Sequence, residues 1–253
     1  LIDSVLFIID FKHSKKIHFL DVKNMQLKKA IGEHGSGPGE MLGPTKFDLD
    51  YMNKILYILD TQARKVFKIE MDSVFQVEDY APKFFTSTPD NLWCLDFKML
   101  SDSSILYYAL DERMNIVYNF NTDSVTNHSI YFPKEFDALN LRQHASIYKN
   151  IIGHGKMNNI ILLGTYYDKI RILDQDLNCK EIINGYDHYI PDYRLRNGTA
   201  SVTYDSYYCF VDCVTTSDFI YSLFSGKEYA NDQAFLGGRI FVFDKTGNPE
   251  IEY

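Results

Sequence analysis

Short runs of alternating apolar and polar residues, separated by brief polar turns, make up most of the chain. The run Leu56–Asp60 ends on an aspartate, a polar turn follows, and the run Lys65–Ile69 resumes the alternation. The runs Leu6–Asp10 and Leu106–Asp111 are each followed by the same kind of turn and second run. Alternation with a period of two is typical of half-buried strands, and a short polar turn joins two of them as a hairpin. The pattern predicts antiparallel hairpins as the building unit of the fold.

The hairpin unit recurs along the chain at a regular interval. Its closing aspartates Asp10, Asp60 and Asp111 lie 50 and 51 residues apart, and the later units near Thr165 and Ser225 carry insertions. A period near fifty residues with several short strands per unit is typical of β-propellers, in which single sheets bury their faces by stacking as blades. We therefore predict an all-β propeller with four-stranded antiparallel blades, of which about five lie in this chain.

Two segments depart from this pattern. Residues Pro133–Asn150 show no clean alternation, and either a short helix or an inter-blade loop fits them. Residues Gly185–Ala200 are rich in turn formers and aromatic residues, and we expect a long loop there that leads into a strand over Ser201–Val214. Neither segment has the composition of a domain boundary. One propeller domain over residues 1–253 is therefore predicted.

The two ends of the sequence favour a chain that is part of a longer one. The first residues lead directly into a predicted strand, and the last follow the turn Lys245–Pro249. We expect an incomplete ring of blades, with a targeting segment before Leu1. The longest apolar runs, Val5–Ile9 and Ile160–Leu163, are too short to cross a bilayer as helices.

A glycine-rich segment, Gly35-Ser-Gly-Pro-Gly-Glu40, interrupts the strands. Glycine permits backbone conformations that other residues avoid, and proline fixes one dihedral angle, so the segment fits a turn between two sheets. Its backbone N–H groups could instead hold an anion, but the lysine, the hydroxyl residue and the helix of a phosphate-binding loop are missing. We assign a structural role to Gly35, Gly37, Pro38, Gly39 and Glu40.

Motifs at opposite ends of the chain resemble those of a known family. The early segment Gly35–Glu40 and the late segments Ile220–Lys227 and Gly238–Pro249 are similar, in this order, to the TolB-like six-bladed propellers found mainly in gut Bacteroidetes. The segment Gly32–Asp72 also resembles the NHL-type repeat, with Ala63 in place of the usual asparagine. The resemblance implies a six-bladed β-propeller and an exported location, often as a lipoprotein. It implies no particular reaction.

The charge and the cysteines narrow the partners that are expected. The chain has 34 acidic and 26 basic residues, a formal net charge of −8, and no stripe of lysine and arginine, so no nucleic-acid partner is predicted. The four cysteines include no Cys-x-x-Cys pair, which argues against a zinc ribbon, and no cofactor is predicted. A membrane is expected as a partner only through a lipid anchor outside this chain.

The aromatic and basic segment between residues 186 and 196 is the candidate binding surface. Tyrosine and arginine are enriched at binding hot spots, and tyrosine rings also suit the faces of sugars. The candidate ligand-binding residues are Tyr186, His188, Tyr189, Tyr193, Arg194 and Arg196. Packing of this segment on a neighbouring blade is the alternative that the pattern leaves open.

Catalytic chemistry has weaker support in the sequence. No Gly-x-Ser-x-Gly motif is present and the histidines are not at ligand spacings, so no catalytic or metal-binding residue is assigned. The aspartates at strand ends are expected to close turns, with a calcium-binding ring as the alternative. The function favoured is a non-catalytic, extracytoplasmic binding or scaffold propeller for a protein, peptide or glycan, in the periplasm or on the cell surface. A metal-dependent lyase or lactonase-type hydrolase with an axial metal is the alternative.

Overall fold

Short strands form most of the structure, as the alternation of apolar residues requires. In the computed structural model, strands account for 55% of the residues and helices for 5%. The structure describes residues 4–89, 92–109, 115–128, 139–185 and 187–252. The chain divides into two compact units, Leu1–Phe97 and Lys98–Tyr253. One domain over residues 1–253 stays a prediction.

The first unit contains two antiparallel sheets in which each strand pairs with its neighbour in the chain. The strands of the first sheet are β1 (Val5–Ile9), β2 (Lys15–Asp21) and β3 (Leu27–Glu33). Those of the second are β4 (Pro44–Asp50), β5 (Ile55–Asp60), β6 (Lys65–Glu70) and β7 (Lys83–Ser87), with the helix α1 (Met71–Gln76) between β6 and β7. The alternation buries Phe19, Ile58 and Phe67 in one hydrophobic cluster of this unit.

A third sheet follows, and the division between the two units falls within its first strand. Its strands, again in chain order, are β8 (Cys94–Ser101), β9 (Ser104–Ala109), β10 (Asn115–Asn119) and β11 (Ser124–His128). The helix α2 (Leu141–Ile147) lies within the first segment that departed from the alternation. The side chain of Asn140 accepts a hydrogen bond from the backbone N–H of Gln143, and the Gln143 side chain accepts one from the backbone N–H of Asn140. This reciprocal cap explains why a helix begins at that point.

The second unit contains two further four-stranded sheets. The strands are β12 (Asn150–Gly155), β13 (Ile160–Gly164), β14 (Lys169–Leu173) and β15 (Cys179–Asn184), then β18 (Tyr207–Thr215), β19 (Phe219–Glu228), β20 (Arg239–Asp244) and β21 (Pro249–Glu252). Their first strands, β12 and β18, run parallel and pair His154 with Val214 and Gly155 with Thr215. Counted along the chain, five antiparallel sheets of three or four strands follow one another. This confirms the all-β propeller with about five blades.

The aspartates at strand ends close turns, as predicted. Asp10 Oδ1 accepts hydrogen bonds from the backbone N–H groups of Lys12 and His13, at 2.9 and 3.2 Å. Asp174 and Asp244 make the same kind of contact with the turns that follow them. The carboxylate therefore replaces the strand partner that the backbone loses at the turn. Asp111 lies outside the described residues.

The second irregular segment corrects the sequence analysis. Residues Tyr193–Arg196 and Thr199–Val202 form a hairpin, β16 and β17, and not a loop. Asn197 and Gly198 form its turn with φ angles of 52° and 77°, the left-handed conformation that a two-residue hairpin turn needs. The long strand that follows begins at Tyr207, six residues later than predicted.

Candidate functional site

A small pocket with a cavity volume of about 80 Å³ lies between the last two four-stranded sheets of the second unit. Its lining residues come from the end of β15, from β18 and β20, from the start of β21 and from the turn before β14. They are Asp168, Ile183, Asn184, Gly185, Phe210, Phe241, Phe243 and Pro249. This volume is well below that of pockets that enclose a drug-sized ligand, so the pocket would take a single group of a larger ligand.

The apolar wall of the pocket continues the hydrophobic core of the unit. Phe241 and Phe243 alternate with Val242 on β20, so both rings face the same side of the sheet. Together with Phe210 they belong to the main hydrophobic cluster of the second unit, and Ile183 packs against that cluster. The wall is therefore held in place by packing and does not depend on a loop for its shape.

Asp168 is the one ionisable residue among those that line the pocket. It lies in the turn between β13 and β14 and is only 2% exposed. Its Oδ2 accepts hydrogen bonds from the backbone N–H groups of Asp187 and His188, at 2.9 and 3.2 Å. Its Oδ1 is buried and has no hydrogen-bond partner among the residues that the structure describes. A buried oxygen of this kind is costly, because water no longer solvates it and nothing replaces the water.

The surroundings of Asp168 make ionisation of its carboxyl group less favourable than it is in water. Burial raises the pKa of the Asp168 carboxyl above its usual value, and the charge of Asp187 acts in the same direction. The two backbone N–H groups on Oδ2 and the nearby His188 lower the pKa but do not offset the burial. Carboxyl groups with raised pKa values in a cleft are frequent at functional sites.

A second buried aspartate shows what a structural carboxylate looks like in this protein. In the first unit, Asp60 is fully buried, and both of its oxygens have partners. Oδ1 accepts hydrogen bonds from the N–H groups of Gly43 and Ala63, and Oδ2 from that of Leu42, at 3.0, 2.8 and 2.6 Å. Asp168 is equally buried but has only half of its hydrogen-bonding capacity used, so turn closure alone does not account for it.

Gly185 covers the free oxygen of Asp168. A Cβ atom at position 185 would lie 1.5 Å from Oδ1, so no other residue fits there without displacing the carboxylate. The Gly185 N–H donates to the Asp168 backbone carbonyl at 2.9 Å, and the Asp168 N–H donates to the carbonyl of Tyr189 at 3.2 Å. The backbone of Asp168 is thus hydrogen-bonded to Gly185 and Tyr189, and its side chain to Asp187 and His188. These bonds fix the four residues beside the pocket.

An ion pair ties the same segment to β20. Arg239 Nη2 donates to Asp187 Oδ2 at 2.7 Å. The Arg239 guanidinium also lies over the rings of Phe224 and Phe241, at 4.8 and 5.3 Å from their centroids. A cation at this distance from a ring face is attracted by the ring quadrupole. The Phe241 ring, which lines the pocket, therefore already interacts with one cation of the protein.

The structure separates the six candidate binding residues of the sequence analysis into two groups. His188 and Tyr189 lie beside Asp168, and the Tyr189 ring stacks on Tyr207 at 4.2 Å and packs on the core of the unit. Tyr193, Arg194 and Arg196 lie on the hairpin strand β16, where both arginines are exposed. Tyr186 lies outside the described residues. Ligand binding by any of the six stays a prediction.

The sequence analysis did not identify the residues that line this pocket. Asp168 follows Tyr166 and Tyr167 in a turn and resembles the other turn aspartates in sequence, and Phe241 and Phe243 read as ordinary strand residues. The only available signal was Asp168 itself, because it begins a strand in the fourth repeat instead of ending one. This difference in position within the repeat distinguishes Asp168 from Asp10 and Asp60.

The glycine-rich segment Gly35–Glu40 carries its own carboxylate. Glu40 Oε2 accepts a hydrogen bond from the N–H of Gly37 at 2.7 Å. A Cβ at Gly35 would lie 2.0 Å from that same oxygen, and one at Gly39, where φ is 76°, would lie 2.8 Å from the Cβ of Ala81. Glu40 therefore occupies the space where an external anion would bind. The structural role assigned to the five residues of this segment stays a prediction.

Metal and nucleophilic chemistry were tested against the described residues. Within residues 4–89, 92–109, 115–128, 139–185 and 187–252, no three His, Cys, Asp or Glu side chains come together as a metal site would require. Burial raises the pKa of the Cys209 thiol beside the pocket, so this cysteine stays protonated and is a poor nucleophile. The metal-dependent lyase or lactonase stays an alternative, which metal analysis of the purified protein checks.

Five successive antiparallel sheets, joined in the second unit by parallel first strands, define the protein as a β-propeller. Its sequence matches the family described as TolB-like 6-blade propeller-like over residues 1–253. The chain belongs to this family, and the six-bladed propeller implied by the resemblance is confirmed. A comparison with curated proteins finds no match.

Two of the solved structures with a similar fold come from Bacteroides. One is a member of the DUF4221 family from Bacteroides vulgatus, with a TM-score of 0.62 and 12% identity over 98% of this chain and 77% of that one. Another is a protein of Bacteroides fragilis described as exported, with a TM-score of 0.60 and 16% identity over 100% of this chain and 69% of that one. At these identities the likeness shows the fold alone. In the part of the chain that the structure describes, no helix is both long and apolar enough to span a membrane.

Proposed function

We propose that this chain is a non-catalytic binding propeller that acts outside the cytoplasm and holds a group of its ligand in the Asp168 pocket. The observation that carries the proposal is that a pocket with aromatic sides is lined by Asp168, whose buried Oδ1 has no hydrogen-bond partner among the described residues. An unpartnered buried acceptor destabilises the fold, and such groups persist most readily where a ligand completes them. The ligand is a protein, peptide, glycan or smaller molecule that presents one such group.

The location is proposed on the likeness to exported proteins. A similar structure from Bacteroides fragilis is described as exported, and the family resemblance implies lipoproteins of the periplasm or the cell surface. A lipid anchor outside this chain would bring the propeller to a membrane. Fractionation of the native cells with an antibody to the chain tests the location, and recovery in the cytoplasmic fraction would contradict it.

Occupancy of the pocket can be measured at Ile183, whose side chain lines it. The experiment titrates the chain, labelled with ¹³C at isoleucine δ1 methyl groups, with benzylammonium, benzyl alcohol, benzoate and methyl β-glucoside. We expect a saturable shift of the Ile183 methyl resonance with at least one of them at up to about 20 mM, the range in which one-ring fragments bind. The Ile58 methyl, in the core of the first unit, should not shift.

The same titration separates the pocket from the hairpin surface. Arg194→Ala removes an exposed charge from β16 and should leave the Ile183 response unchanged if the pocket is the site. If none of the four compounds shifts Ile183 in a folded sample, the pocket does not bind ligands and the proposal fails. If Arg194→Ala removes the response, the site belongs to the hairpin and the pocket assignment is wrong.

The raised pKa of Asp168 predicts how its replacement changes stability with pH. A carboxyl whose pKa is higher in the folded state binds its proton more tightly there, so its burial costs stability as the pH rises through that pKa. The amide of asparagine, which has nearly the same shape, cannot ionise. The melting temperature of Asp168→Asn minus that of the native chain should therefore become more positive between about pH 4 and about pH 8.

Asp174→Asn is the matched control, because its pH dependence has the opposite sign. Hydrogen bonds from Asn178 hold the pKa of the Asp174 carboxyl below its usual value, so its stabilisation is present at neutral pH and is lost on acidification. Asp187, His188 and Cys209 are the other titratable groups around Asp168, and they remain in both proteins. A difference for Asp168→Asn that does not change with pH, or that becomes more negative as pH rises, would show that Asp168 is not a costly buried carboxylate.

A further inference from the structure

We infer that the Asp168 pocket binds an organic cation, an ammonium group carried on a short apolar or aromatic stem, and this inference rests on the function proposed above. Three observations carry it: the buried carboxylate has no ion-pair partner among the described residues, the walls are aromatic, and few other polar side chains line the pocket. Each restricts the chemistry of the group that fits.

The carboxylate supplies a negative charge that the protein leaves unbalanced. Asp168 forms no ion pair with any described residue, and the only described partners of its carboxylate are the N–H groups of Asp187 and His188. The basic side chain on this wall, Arg239, is already paired with Asp187 at 2.7 Å. A positively charged group in the pocket would balance Asp168 and donate to Oδ1, and hydrogen bonds between charged groups are the stronger ones.

The aromatic walls add a second attraction for a cation. Phe210, Phe241 and Phe243 surround the pocket with rings, and Phe241 already lies under the Arg239 guanidinium at 5.3 Å. Recognition of ammonium groups by aromatic cages uses the same attraction between a cation and ring faces. An apolar stem would meanwhile pack against Ile183 and Pro249.

Other ligand classes fit these walls less well. An anion would meet the charge of Asp168 with no cationic side chain among the lining residues to offset it. A sugar would bury several hydroxyl groups, whereas Asp168 and Asn184 are the only described lining residues with polar side chains. Buried hydroxyls without partners are costly. An ammonium group makes few polar contacts and concentrates them on one carboxylate.

Gly185 controls access to the carboxylate oxygen. Oδ1 is covered by the Gly185 backbone, so the cation reaches it as the end of β15 moves outward. This movement involves Asn184 and Gly185 at the edge of the sheet, where β15 pairs on one side only. Because residue 185 carries no side chain, a small displacement is enough.

The test compares benzylammonium with benzyl alcohol, which share a ring and a stem and differ in charge. Dissociation constants come from the Ile183 methyl shift in the native chain, in Asp168→Asn and in Asp232→Asn, which removes the same charge from an exposed position. We expect benzylammonium to bind the native chain at least about tenfold more tightly than benzyl alcohol, from the added ionic hydrogen bond. Asp168→Asn should remove this preference, and Asp232→Asn should retain it.

The outcomes separate this inference from the function on which it rests. Equal affinity for the two compounds means that the pocket binds ligands but does not select cations, and the inference fails while the proposed function stands. No shift of Ile183 with either compound, or with the rest of the panel, overturns both. A preference that survives in Asp168→Asn also overturns the inference, because the charge would then act from elsewhere. If Asp168→Asn does not fold, the comparison of benzylammonium with benzyl alcohol in the native chain decides whether the pocket selects cations.

Discussion

Asp60→Ala should lower the free energy of unfolding by about 3 to 5 kcal/mol, one of the largest effects expected of a single substitution in this chain. The Asp60 side chain is fully buried and accepts three backbone hydrogen bonds, from Leu42, Gly43 and Ala63. Alanine removes both carboxylate oxygens and leaves the three N–H donors without an acceptor. The turn that brings the chain into β4 and the turn between β5 and β6 then lose their common anchor.

Urea unfolding followed by circular dichroism measures the loss, and Asp50→Ala is the control. Asp50 closes the neighbouring turn of the same sheet with hydrogen bonds from Met52 and Asn53, but those groups are exposed to water. Solvent replaces the lost acceptor there, so Asp50→Ala should cost much less. Equal losses for the two variants would show that burial does not set the contribution of Asp60.

The sequence predicted well those features that depend on neighbours along the chain. A short apolar run that ends on an aspartate, such as Ile55–Asp60, is enough to indicate the strand, and all of its residues but the first are buried. The aspartate at the end of such a run closes the following turn by accepting hydrogen bonds from backbone N–H groups two to four residues further on, as Asp174 does. Because the same local pattern recurs at a regular interval, the number of sheets could be predicted as well.

The segment from Gly185 to Ala200 was predicted incorrectly because its strands are exposed. On β16, Arg194, Leu195 and Arg196 all face solvent, so no alternation of apolar residues marks the strand. Only the turn dipeptide Asn197-Gly198 signals the hairpin, and it is the strongest short-range hairpin signal. The prediction gave composition more weight than turn chemistry at this point.

The pocket could not be predicted because its residues meet only after folding. Asp168 lies 19 residues from Asp187 and more than seventy from Phe241, and the chain between them contains complete strands. Nothing in the local pattern shows that Asp168 is buried while Asp174 is exposed. The sequence analysis selected the aromatic segment near residue 189 for its composition, and its backbone contacts with Asp168 could not be predicted.

Gly155→Ala should disrupt the junction between the last two four-stranded sheets and lower the free energy of unfolding by about 3 kcal/mol. Gly155 pairs with Thr215 where β12 and β18 run parallel, and its φ is 146°, which residues with a side chain rarely adopt. A Cβ atom there would lie 2.0 Å from the Thr215 backbone carbonyl oxygen. A backbone oxygen cannot turn aside as a side chain does, so the two strands must separate. For a chain of this size, a loss of about 3 kcal/mol corresponds to a melting temperature roughly 6 to 12 °C lower.

Two other glycines serve as controls that distinguish a steric clash of the added Cβ atom from strain in the backbone. A Cβ at Gly198 would meet no atom within 4 Å, although its φ of 77° is unfavourable for alanine, so Gly198→Ala measures backbone strain without a clash. At Gly238 there is also open space, with no positive φ recorded, and Gly238→Ala should leave the melting temperature nearly unchanged. We expect losses in the order Gly155, Gly198, Gly238. If Gly155→Ala costs no more than Gly198→Ala, the close approach of β12 to β18 does not hold the two sheets together, and the stability of the second unit comes from its hydrophobic core alone.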